Sequence, residues 1–158
     1  MRITSDVNND AATPSKNPGG YEWWYFDAMD ASSGYSIVVI LYQGNPFSNR
    51  YIRQLQKEPL GEMSLPDEFP AISISIYEGR KPVYYSFTEY ASTGAQFRKQ
   101  NPEIQLGEHR MSADHSEGEF TYTLYLKEEL ASGDRIEATL HFRSSQSGVD
   151  ALRDKEGG

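Results

Sequence analysis

Between Ala71 and Tyr77 apolar and polar residues alternate strictly, and this period of two limits the possible folds more than any other feature of the chain. Successive side chains of a β-strand point to opposite faces, so Ile72, Ile74 and Ile76 share one side and Ser73, Ser75 and Tyr77 the other. Glu78-Gly79-Arg80 supplies a turn, and Pro82 opens the return strand, where its missing N–H costs no ladder hydrogen bond. Pro82 to Thr88 then places Val83, Tyr85 and Phe87 on one face. The pattern predicts a hairpin in which Ile72, Ile74, Ile76, Val83, Tyr85 and Phe87 share a buried side.

Other segments repeat this design. Tyr21–Met29 and Tyr35–Tyr42 read as strands, and the unbroken Ile37–Leu41 run predicts cover on both faces of the second. Arg50–Leu55 fits either a short strand or a helical turn, and a connection follows that carries Pro59, Gly61, Pro66 and Pro70. Glu103–Met111, Glu119–Lys127 and Asp134–Arg143 complete the set, with turns at Gly118 and Ser132-Gly133. In the last two strands Phe120, Tyr122, Leu124 and Leu126, and then Ile136, Ala138, Leu140 and Phe142, alternate with polar residues. No segment sustains a 3.6-residue period. Aromatics at 13%, with eleven Tyr, suit pleated sheets. These features predict an antiparallel all-β domain over residues 21–143, either a lipocalin-like barrel or a curled β-sandwich. The polar leader, 1–20, and tail, 144–158, are expected to be loose.

Charge and composition exclude several functions. With 23 acidic against 15 basic residues the net charge is −8, which repels nucleic-acid backbones and anionic membrane surfaces. There is no cysteine for disulfide or thiolate chemistry. The polar N-terminus shows no apolar signal region, and the longest apolar run, Ile37–Tyr42, is too short to span a bilayer. The compartment is left open, with the cytoplasm favoured. No Walker, GxGxxG, HExxH or GxSxG motif occurs, and His109, His115 and His141 lack local metal-ligand spacing, so they read as lone surface residues. Neither a metal nor a cofactor is expected.

The densest chemistry lies in Glu22-Trp23-Trp24-Tyr25-Phe26-Asp27. Alternation assigns Tyr21, Trp23, Tyr25 and Asp27 to one face and Glu22, Trp24 and Phe26 to the other. Each face therefore sets one carboxyl beside large rings. A carboxyl desolvated by rings holds its proton more tightly and can protonate an alkene, while ring π faces stabilise the cation that forms. The simpler alternative is that the carboxylates accept hydrogen bonds and anchor the first strand.

Three stretches carry a resemblance: GYEWWYFDA (Gly20–Ala28), NPFSNRY (Asn45–Tyr51) and FPAISISIYEGRKPVYYSFTEY (Phe69–Tyr90). Together they resemble the hydroxyneurosporene synthase, or carotenoid 1,2-hydratase, family, whose relatives include AttH-domain proteins. More distantly they resemble the lipocalin-like Diels–Alderases. The resemblance implies a lipocalin-like fold and an apolar polyene, terpenoid or lipid ligand. It also implies a longer protein with two β domains, of which this chain matches the N-terminal one. On this reading Glu22 or Asp27 is the acid or its orienter, and Trp23, Trp24, Tyr25 and Tyr85 line one wall of the pocket. A second β domain or partner chain completes the site. The alternative is a non-catalytic lipid- or pigment-binding protein complete at this length.

Overall fold

A computed structural model describes residues 10–13, 17–57, 64–116 and 119–144. The described residues form two antiparallel meanders. The first contains β1 (Glu22–Met29), β2 (Tyr35–Gln43), β3 (Ala71–Glu78) and β4 (Lys81–Glu89), paired in sequence order. The second contains β5 (Ala95–Phe97), β6 (Glu103–Leu106), β7 (His109–Ser116), β8 (Glu119–Glu129) and β9 (Arg135–Ser144), also in sequence order. Among the described residues no strand pair joins the sheets, so the all-β fold is a sandwich rather than a closed barrel.

Apolar alternation supplies the core between the layers. Val39 and Leu41 pair with Ile74 and Ile72, and all four are buried. The opposite layer contributes Ile104, Leu106, Met111, Leu124 and Leu126. Rings bridge the layers: Trp24 stacks on Phe97 at 5.9 Å, and Phe26 packs against Tyr122 at 5.8 Å and Phe142 at 5.3 Å.

The segment left open between strand and helix is a helix, α1 (Asn49–Leu55), started by Ser48, whose side chain accepts from the Tyr51 N–H at 3.1 Å. Tyr51 anchors it by stacking on Phe69 at 4.3 Å and donating to the Gly20 carbonyl at 2.9 Å. Part of the leader is also fastened. The Ala12 N–H donates to the Arg98 carbonyl at 3.1 Å, Trp24 Nε1 donates to the Asp10 carbonyl at 2.7 Å, and Ala12 joins the core. The tail from residue 145 and the turn at Gly118 lie outside the described residues, as do Pro59 and Gly61.

The hairpin face departs from expectation. At its turn Glu78 pairs with Lys81 and Tyr77 with Pro82; continued, that register would set Ile76, Ile74 and Ile72 opposite Val83, Tyr85 and Phe87. An irregularity between Ile76 and Tyr77 moves the pairing by one, so the partners are Tyr84, Ser86 and Thr88. A one-residue shift turns a strand's faces over. Ile72 and Ile74 are buried as expected, whereas Val83, Tyr85 and Phe87 are exposed. Two further boundaries differ. Glu103–Met111 is broken at Gly107, which has φ +57° and turns β6 into β7. β7 then continues as strand through residues 112–116, beyond the end expected at Met111.

Candidate functional site

β1 sorts its side chains as the alternation requires. Glu22, Trp24 and Phe26 point toward the second sheet; Tyr21, Trp23, Tyr25 and Asp27 point away. Glu22 accepts from the Thr13 N–H at 2.8 Å and the Thr13 hydroxyl at 3.1 Å, which ties the leader to the first strand. Trp24 is buried. Asp27 is exposed on the other side.

Pairing extends that outer face across the sheet. One row runs Tyr25, Ile40, Ser73, Phe87 and the next Asp27, Val38, Ser75, Tyr85. Trp23 is 51% exposed, Tyr25 54% and Tyr85 63%, and Trp23 stacks on Tyr21 at 5.4 Å. The structure thus brings Trp23, Tyr25, Asp27 and Tyr85 onto one surface and separates Glu22 and Trp24 from them by the thickness of the sheet.

A second cluster lies between the sheets. β8 continues its inward row of Leu124 and Leu126 with Glu128, whose side chain is only 8% exposed. Because of the shift in β4, three hydroxyls face it. Tyr84 donates at 2.9 Å and Ser86 donates to the same carboxylate oxygen, while Thr88 donates to the other at 3.1 Å. Fully buried His109 stands opposite. Its Nδ1 accepts from the Lys127 N–H at 3.2 Å, which places the neutral ring's proton on Nε2. Nε2 lies 3.8 Å from Glu128 and has no hydrogen-bond partner among the described residues. Burial lowers the His109 pKa, opposed by the negative charges of Glu128 and Glu108. Burial also pushes the Tyr84 phenol up to about 12, reinforced by its hydrogen bond to Glu128. Tyr90, edge-on to His109 at 6.3 Å, is pushed to about 12 by burial and then by the Glu128 charge.

This cluster escaped the sequence reading, and His109 is no surface histidine. Two signals were present: hydroxyls at Tyr84, Ser86 and Thr88 with a period of two, and a carboxylate next in line after two inward leucines. The cluster borders an open cleft of about 370 Å³ lined chiefly by Ala28, Ile37, Ile76, Ile136, Ala138 and Leu140, with Met29, Asp30 and Tyr35 at its mouth. Tyr84 is the cross-strand partner of Ile76, and Glu128 of Ile136. Among the described residues no three His, Asp or Glu side chains form a metal-ligand group, and no helix is long and apolar enough to cross a membrane.

Comparison with known proteins agrees with the resemblance seen in the strands. No family model matches the chain, and no solved structure matches it. Over 89 residues, 54% of this chain, it is 34% identical to a hydroxyneurosporene dehydrogenase of Chlorobaculum tepidum. The match spans only 23% of that relative's length. The chain is therefore a partial relative of a carotenoid-pathway enzyme.

Proposed function

We propose that the chain is a lipocalin-like domain of a carotenoid-hydratase-type protein, and that the outer face of β1–β4 is one wall of an apolar polyene or terpenoid pocket. The observation that carries this reading is one outer sheet face that exposes Trp23 and Tyr25 beside Asp27 on β1 and Tyr85 on β4, at the sheet's opposite edge. Several large rings exposed on one face of a chain of net charge −8 favour a binding surface over a solvated one. The partial relationship to a hydroxyneurosporene dehydrogenase supports a carotenoid-related ligand.

In the corresponding chemistry an acid adds a proton to a terminal trisubstituted alkene. Water then captures the tertiary cation and loses its own proton. Asp27 shares the aromatic face and is the β1 carboxyl placed to act as acid or to orient one. Glu22 faces the sandwich interior and holds Thr13, a positioning role for the first strand. Hydration also needs a water on the cation's far side and a dry pocket, which a second β domain or partner chain would supply.

Fluorescence titration with acyclic carotene and retinoid probes tests this reading. Saturable quenching is expected, and Trp23→Phe should remove it while Trp24→Phe retains it. Quenching that is absent, or that survives in Trp23→Phe, would overturn the outer-face assignment. The isolated chain should not hydrate an acyclic carotene; hydroxylated product from it would show the acid site to be complete here. A second reading, a non-catalytic lipid or pigment carrier, is favoured by the apolar cleft between the sheets.

A further inference from the structure

The cleft between the sheets has a chemistry distinct from that of the outer face. At about 370 Å³ it falls near the lower end of the ~300–1,000 Å³ of small-molecule sites, enough for a short chain or the end of a long one. Its walls are aliphatic. Directly opposed strand residues lie ~4.5–5.5 Å apart at Cβ, so Tyr84 beside Ile76 and Glu128 beside Ile136 stand one residue beyond those walls.

The hydrogen bonds decide what this end can recognise. Tyr84, Ser86 and Thr88 each own one O–H, and each directs it at Glu128. Hydroxyl and carboxylate lone pairs remain for a ligand. The unpaired donor, His109 Nε2, belongs to β7, on the far side of Glu128 from β9 and the cleft. Among the described residues no Lys or Arg forms an ion pair with Glu128. An acceptor-only end closes an apolar channel to acids, esters and ethers, whose oxygens would meet lone pairs, and welcomes a head that donates.

We propose that this cleft is a binding site for an apolar chain ending in a hydrogen-bond donor, an alcohol or an amine, received by Tyr84 Oη and the Glu128 carboxylate. The site is independent of the outer-face pocket.

The intact chain is titrated at neutral pH with n-decanol, n-decylamine, n-decanoate and n-decyl methyl ether. Calorimetry follows affinity, and methyl NMR shifts of Ile76 and Ile136 follow location. The alcohol and the amine should bind about tenfold tighter than the ether, one buried hydrogen bond's worth, and the acid most weakly. An amine tighter than the alcohol identifies the Glu128 charge as the feature sensed; the reverse identifies the Tyr84 oxygen. Tyr84→Phe should remove the alcohol's advantage over the ether and leave the ether unchanged. Ile76→Trp should abolish binding of all four. Where a variant fails to fold, the order of the four heads on the unaltered chain decides. Equal binding of the four, preference for the acid, or shifts confined to Trp23, Tyr25 and Tyr85 would overturn the proposal. That last outcome would leave the outer-face reading standing, and failure of Trp23 quenching would leave this one standing.

Discussion

Glu128 concentrates more interaction than any other side chain described. A carboxylate at 8% exposure is tolerable only when its oxygens are hydrogen-bonded, and three hydroxyls from one strand do this. Removing it would leave Tyr84, Ser86 and Thr88 without their acceptor. Glu128→Ala should therefore cost about 1–3 kcal/mol, the penalty of buried hydroxyls left unsatisfied, read as a lowered urea midpoint. Glu103→Ala, which breaks a half-exposed pair with Arg98, should cost under about 1 kcal/mol because solvent screens that pair. His109 adds a pH dependence. Its folded pKa lies below the usual 6.5, so near and below that pH the unfolded chain binds more protons. Stability is then fully present above about pH 6.5 and falls as the pH drops toward the folded value. The negative charges of Glu128 and Glu108 oppose that shift and moderate the loss. Urea unfolding from about pH 7.5 to 5 should show this slope, and His109→Gln should flatten it.

Among the elements, β4 shows how one irregularity reassigns a strand. The alternation of Val83, Tyr85 and Phe87 was legible, as was the inward face of β3; which face of β4 joins Ile72 and Ile74 was not. Both registers satisfy strand geometry, and an apolar row on β4 looked the natural partner for three isoleucines. The shift instead turns hydroxyls inward to Glu128, which is distant in sequence. Stability separates the two arrangements. Ile74→Ala should cost about 2–5 kcal/mol as a core truncation, whereas Tyr85→Ser should stay within about 0.5 kcal/mol. A Tyr85 variant as damaging as the Ile74 variant would return Tyr85 to the interior. The turn at Gly107 is similarly constrained. A Cβ there would come within 2.6 Å of the Tyr90 ring that flanks His109, at a positive φ that disfavours other residues.

At the scale of the whole molecule, the sheets are joined by rings and apolar side chains, by residues 10–13, and by the Glu128 cluster, with no shared strand ladder among the described residues. Phe26→Ala would empty the contact with Tyr122 and Phe142. It should cost about 2–3 kcal/mol, less than a fully buried Phe, and near-UV circular dichroism should fall before the far-UV strand signal. By itself the sequence determined most of the strands, though not β5 or the break at Gly107, together with the two faces of β1 and the all-β antiparallel class, because a period of two and turn residues are local properties of the chain. It also carried a family resemblance with which the partial match to a carotenoid-pathway enzyme agrees. Tertiary structure alone decided that the layers form a sandwich, that Asp27 and Tyr85 share one outer face while Glu22 turns inward to Thr13, and that the buried acid is Glu128. Those outcomes depend on register and on tertiary contacts, those of Glu128 between residues some forty positions apart, which no local pattern encodes.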